Sequence, residues 1–124
     1  MRLLLDTHLL LWALGQPSKL SAAARKQIEK EDVYVSAASI WEISIKSALG
    51  KLQADPAEVL GAVDPAGFAH LPITGEHAAK TIELLPHHKD PFDRMLVAQA
   101  FCEPMILLTN DDALADYGSF VKLI

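Results

Sequence analysis

The chain is short of cysteine, of positive charge and of long apolar runs, and each shortage removes a class of protein. One cysteine, Cys102, in 124 residues leaves no internal disulfide and fits a reducing compartment. No base is placed to make that thiol a nucleophile. No apolar stretch approaches the ~20 residues that cross a bilayer. The run Leu3-Leu4-Leu5 breaks off at Asp6, too early for a secretory leader, so a cytoplasmic protein without a membrane segment is expected. Lys and Arg number 11 against 16 Asp and Glu, a net charge of -5. That excludes a general nucleic-acid coat, which needs a basic excess to release counterions from phosphates. An acidic chain can still be an enzyme that neutralises its acids with metal, or can bind a basic partner. Repeats, low-complexity tracts and linkers are missing too. With 51% hydrophobic residues, one compact domain spanning 1–124 is expected.

What is present is an alternation of short apolar runs and helical patterns. Arg2 to Leu5 reads as a buried strand delivering Asp6-Thr7 at its C-terminal end, followed by a helix that Gly15-Gln16-Pro17 stops. Ser18 or Ser21 caps a second helix to about Lys30. Val33-Tyr34-Val35 has strand composition, and Ser36 precedes a helix to about Leu49, closed by Gly50. In it Ala38, Glu42, Ile45 and Leu49 share a stripe, which sets a carboxylate in an apolar row. Glu42 has two readings: an i,i+4 salt bridge to Lys46, worth a few tenths of a kcal/mol, or a site residue. A helix from Leu52 to Val63 with Asp55-Pro56 as cap follows. A brief extended piece at 70–73 comes next, then a helix from Thr74 through Leu85 that Pro86 ends. Met105 to Leu108 is a continuous apolar run ending in Thr109-Asn110-Asp111-Asp112. A short helix near Ala113 to Tyr117 and a last strand at 120–124 close the chain.

The stretch from His87 to Ala100, HHKDPFDRMLVAQA, sets Asp90 and Asp93 at the head of an amphipathic helix. Pro91 suits the first helical position. Structurally, Asp90 is a good N-cap and Asp93 sits favourably near the helix dipole. Topology supplies the other reading. Alternating strands and helices predict a three-layer α/β/α sandwich with a mostly parallel central sheet, whose crevice lies beyond the C-terminal strand ends. Asp6 and Asp111 sit at such ends, while Asp93 and Glu42 lie early in helices that begin on the same side. Four carboxylates together would repel one another unless a cation joined them. With hard oxygen donors and no zinc-type His/Cys spacing, Mg²⁺ or Mn²⁺ is the expected ion. Metal-assisted phosphodiester hydrolysis is the reaction such a site implies.

Four segments carry a family likeness: Leu5-Asp6-Thr7-His8 with Trp12, Ser39-Ile40-Trp41-Glu42-Ile43, Asp90-Pro91-Phe92-Asp93-Arg94, and Leu108-Thr109-Asn110-Asp111. Together, in this order and in a chain of this length, they resemble the PIN-domain ribonucleases, specifically VapC-type toxins of bacterial toxin-antitoxin pairs. The resemblance implies a PIN-like fold, Mg²⁺- or Mn²⁺-dependent endoribonuclease activity on RNA, a homodimer, and inhibition by a small antitoxin protein. Carried over by motif, Asp6, Glu42, Asp93 and Asp111 form the acidic quartet, with Asp112 the alternative at the last position. Thr109 would hydrogen-bond a bound water or a neighbouring carboxylate, and Asp90 would stay a cap with a water-mediated role. Arg94 could contact RNA phosphate or pair with an acid; His87, His88 and Lys89 could also contact phosphate, a solvated loop being the blander reading of the histidines. His8 is a general-base candidate beside Asp6, though a local hydrogen bond is the blander role. Trp12 and Trp41 are expected in the core, or at a dimer interface if exposed, with base stacking the minor alternative.

Two rivals remain. One keeps the fold without catalysis, as an RNA- or partner-binding module. The other is a receiver-type phosphoacceptor domain, which would want adjacent acids after the first strand and a Lys after a late one. This chain has Asp6-Thr7 and Thr109-Asn110 there.

Overall fold

Strands β1 (Arg2–Leu5), β2 (Asp32–Ser36), β3 (Ala69–Leu71), β4 (Ile106–Thr109) and β5 (Val121–Leu123) form a single sheet in the computed structural model, which describes residues 1–86 and 89–124. Every pairing is parallel, in the order β3-β2-β1-β4-β5. Leu3 pairs with Val33 on one side and Ile106 on the other, and Leu5 with Leu108. The chain therefore builds outward from β1 and then returns to its free edge. The C-terminal ends of β1 and β4 flank the point where the order reverses, which is where open α/β sheets hold ligands. A receiver-type domain has the order 2-1-3-4-5, so the strand order overturns that reading.

Six helices cover the sheet among the described residues: α1 (Thr7–Gly15), α2 (Ala22–Lys30), α3 (Ala37–Ala48), α4 (Pro56–Val63), α5 (Gly75–Lys80) and α6 (Pro91–Cys102). Short 3-10 turns occupy Pro17–Lys19, Thr81–Glu83 and Asp112–Tyr117. The period-2 strands sort their side chains between two layers. Leu3, Leu5, Val33, Val35 and Leu108 pack with α1, α2 and α4 through Leu9, Ala24 and Val63. Leu4 and Leu107 pack on the opposite side with Leu96, Val97 and Ala100 of α6. Each such leucine contributes about 1.5–3 kcal/mol by leaving water. No helix among the described residues is long and apolar enough to cross a membrane.

The structure shifts several expected boundaries. Ser21 caps α2, with its Oγ accepting from the Ala24 N–H at 3.1 Å, while Ser18 lies in the preceding turn. The helix expected within Leu52 to Val63 has Asp55 as its cap and Pro56 as its first residue, as expected, and the residues before Asp55 lie outside it. The helix expected through Leu85 tightens to 3-10 after Lys80. On α3 the buried residues are Ala38, Ser39, Glu42 and Ile43, whereas Leu49 is exposed. The predicted stripe fails at its end because Leu49 lies past the last helical residue, as the C-cap of α3; earlier on the helix Ala38 packs on the α6 side and Ile40 and Ile43 on the α1 side. Gly50, at φ +72°, then takes the left-handed turn that a side chain would resist. Trp12 is half-buried against the core as expected. Trp41 is not a core residue: it points away from Ile43, is 60% exposed, and meets only the edge of Phe92 at a centroid distance of 5.3 Å in its ring contact. Within the 87–89 loop, His87 and His88 lie outside the described residues and Lys89 is exposed.

Candidate active site

Asp6 leaves β1 exactly one residue beyond its pairing with Leu108, and its own N–H donates to the Leu108 carbonyl at 3.1 Å. The side chain is 4% exposed and does two jobs. Oδ1 caps α1 by accepting from the Leu9 N–H at 2.8 Å, and Oδ2 accepts from the Thr109 hydroxyl at 2.5 Å. Burial pushes the carboxyl above its ordinary value, against the lowering effects of the Thr109 and Leu9 hydrogen bonds, the His8 charge and the Asn110 N–H. Thr109 also accepts from the Asp111 N–H at 3.0 Å, so the end of β4 ties Asp6 to the Asp111 backbone. The Asp111 carboxylate in turn accepts from the Ala113 N–H at 3.0 Å and caps the last 3-10 turn. Asp111 is half-buried, whereas Asp112 is exposed.

The neighbouring residue reaches the second acid. Thr7 Oγ1 donates to Glu42 Oε1 at 2.7 Å and lies 3.0 Å from Ser39 Oγ, all three residues being buried. With one proton on Thr7, the carboxylate takes it and the Ser39 hydroxyl can donate back. Glu42 is 4% exposed, and its Oε2 holds Lys46 Nζ at 2.5 Å. The expected i,i+4 pair thus exists, but its acid end is dry, which removes it from the class of surface pairs. The hydrogen bond to Glu42 raises the Lys46 pKa against the opposing effect of burial, with the charges of Glu42, Asp90 and Asp93 adding to it. The head of α6 lies along α3 here, where the Phe92 and Trp41 rings meet edge to face at a centroid distance of 5.3 Å. There Asp90 accepts from the Phe92 and Asp93 N–H groups at 2.8 and 3.3 Å, and half-buried Asp93 occupies the first turn.

Two linked groups result. Asp6, Thr109 and Asp111 join β1 to β4, while Thr7, Ser39, Glu42 and Lys46 join α1 to α3 with α6 alongside; Asp6 and Thr7 are the seam. All the acidic donors are hard oxygens, which suits Mg²⁺ or Mn²⁺. Among the described residues no three His, Cys, Asp or Glu side chains converge as a group that could hold an ion, and Glu42 meets Lys46 instead. His8 is exposed, with its ring 6.4 Å from that of Trp12 and tilted against it. Arg94 donates to the carbonyls of Thr81 and Leu85 at 2.8 and 3.1 Å and to the Tyr117 hydroxyl at 3.1 Å, so it straps the segment before α6 to the helix. Sequence reasoning gave Thr7 and Ser39 no role and took Lys46 only as a salt-bridge partner. A polar residue directly after a strand-end acid, and a serine one turn before a buried glutamate, were the available signals.

The PIN domain family model matches residues 3–119, and the chain belongs to that family. Solved structures share its fold. A chain of VapBC2 from Rickettsia felis, bound to a DNA fragment from their promoter, superposes with a TM-score of 0.69 at 14% identity, covering 100% of this chain and 98% of that one. DNA-bound VapBC from Salmonella typhimurium gives 0.68 at 15% identity, covering 100% and 97%. FitAcB from Neisseria gonorrhoeae gives 0.62 at 19% identity, covering 90% and 89%. No curated protein sequence matches significantly.

Proposed function

We propose that this PIN-domain protein is a metal-dependent endoribonuclease that hydrolyses RNA phosphodiester bonds and acts as the toxin of a VapC-type toxin-antitoxin pair. The observation that carries the reading is the burial of two carboxylates, Asp6 and Glu42, on adjacent polar residues at the β1–β4 switch point. Ionised carboxylates cost folding free energy when withdrawn from water, so a fold that keeps them there has a use for them. Asp6, Glu42, Asp93 and Asp111 would hold Mg²⁺ or Mn²⁺. Bound there, the ion supplies charge neutralisation at the phosphate and a more acidic attacking water. The chain's own residues prepare that site: Thr109 and the Leu9 N–H fix the Asp6 rotamer, Thr7 fixes Glu42, and Asp90 sets the first turn from which Asp93 projects.

The partners follow the same reading: RNA as substrate, a second copy in a homodimer, and a cognate antitoxin whose basic character complements a net charge of -5 in the cytoplasm. A second reading, binding without cleavage, draws on the Glu42–Lys46 pair, which leaves one ligand position engaged by a side chain. Incubating a panel of structured RNAs with Mn²⁺ separates the two. Cleavage by the native chain, abolished by chelator and by Asp93→Asn, is expected. Equal cleavage by native and Asp93→Asn protein would sink the assignment; Mn²⁺ binding without cleavage by either would favour the second reading.

A further inference from the structure

The pair between Glu42 and Lys46 is unlike an ordinary i,i+4 bridge. An ordinary pair has both ends in water and contributes little. Here the carboxylate is almost wholly buried and pinned on its other oxygen by Thr7, while the side chain of Lys46 remains 36% exposed one turn further along α3. The acid is fixed; the base is a four-carbon stem with a mobile head. Asp90 and Asp93, which open α6, bear on the same ammonium, so it stands where negative charge from two helices meets.

We propose that Lys46 is a tethered counterion that takes the divalent ion's place on Glu42 while the site is empty and must swing out when the ion enters. The inference rests on the metal-site reading above and deepens it: Lys46 sets the affinity of that site for its metal. A buried carboxylate without a counter-charge is costly, so the lysine stabilises the empty fold. The same contact opposes loading, because the ammonium competes for the Oε2 lone pairs and its charge repels a divalent ion brought close to it. Outward swing costs Lys46 little, since its stem already reaches solvent.

Mn²⁺ titration by calorimetry, with the thermal midpoint recorded with and without the ion, tests this on the native chain, Lys46→Met, Lys46→Arg and Glu42→Gln. Lys46→Met should bind Mn²⁺ more tightly, with a Kd lower on the order of tenfold. It should also melt lower than native without metal and gain a larger rise in midpoint on adding Mn²⁺. Lys46→Arg, which keeps the charge, should bind no more tightly than native, and Glu42→Gln should bind weakly. Native-like or weaker Mn²⁺ binding by a folded Lys46→Met would overturn the proposal while leaving the metal site standing. Absence of Mn²⁺ binding in every variant would remove the metal reading and the proposal with it, whereas full binding by Glu42→Gln would overturn the proposal and take Glu42 out of the ligand set.

Discussion

Two polar clusters are buried in this domain, and they are built on opposite principles. In one, the Ser36 hydroxyl donates to Gln99 Oε1 at 2.5 Å, and the Gln99 amide reaches towards the Pro72 carbonyl and His77 Nδ1, each at 3.4 Å. His77 Nδ1 accepts from the Thr74 N–H at 3.1 Å, which assigns the ring proton to Nε2, where it meets Glu103 at 2.7 Å. Ser36, His77 and Gln99 are each 0% exposed, and the only carboxylate present, Glu103, is part-exposed. No carboxylate is among its fully buried members. In the other cluster the members withdrawn from water include two carboxylates, Asp6 and Glu42. Hydrogen bonding alone serves fold specificity in the first; the second retains charge and spare acceptor lone pairs, which is what a cation or a phosphate-directed reaction needs.

The strongest way to break that contrast is to neutralise one acid and one imidazole in parallel. Glu42→Gln should lower Mn²⁺-dependent RNA cleavage by about 100-fold or more, since charge placed for the transition state is removed. His77→Leu should leave cleavage per folded molecule unchanged. Comparable losses from both, measured as initial rates on one RNA, would mean the clusters are not functionally distinct.

Stability should respond in the reverse order. His77→Leu removes the acceptor for the Thr74 N–H and strands the Gln99 amide, so it should cost about 2–3 kcal/mol in urea unfolding. Asp6→Asn should instead stabilise the metal-free protein at pH 7 by about 0.5–2 kcal/mol, as relief of strained active-site charge commonly does. The sign follows from the raised pKa of Asp6. Its contribution to stability is full below the ordinary value of 3.8 and is lost as pH rises through the folded-state value. The advantage of Asp6→Asn should therefore shrink towards zero in acid, and an advantage constant across pH would show that ionisation of Asp6 is not its cause.

Much of this was legible in the residues themselves. Short apolar runs ending in polar pairs, at Leu5-Asp6-Thr7 and Leu108-Thr109, revealed parallel strands delivering side chains to one edge, because a strand buried on both faces can change character only where it emerges. Proline after aspartate marked the starts of α4 and α6 for steric reasons that are local to the chain. What escaped depended on neighbours distant in sequence. The exposure of Trp41 and the sharing of α3 side chains between two packing layers depend on which elements lie against that helix, which periodicity does not encode. The bond from Thr7 to Glu42 spans 35 positions, and no spacing rule links a residue after one strand to a helix after the next. His77 was read only as part of a helix opening; its N3 place in a box with Thr74 is local, whereas its burial beside Gln99 of α6 joins residues 22 positions apart.

The smallest effect concerns Asp90, which both a structural and a functional reading claim. Its Oδ1 accepts from the Phe92 and Asp93 N–H groups, so Asp90→Ala should cost about 1 kcal/mol through the lost cap. Some activity should go with it, because Asp93 sits in the turn that the cap organises. Serine can cap the same helix without charge, and that separates the roles. Asp90→Ser should recover most of the lost stability and leave cleavage within a few-fold of native if Asp90 serves as a cap. A drop in cleavage as deep as that of Asp93→Asn, in a variant whose urea midpoint is native, would instead place the Asp90 charge among the reacting groups. The cap and the ligand roles differ in one property only, the need for a negative charge, and Ser against Asp at position 90 isolates it.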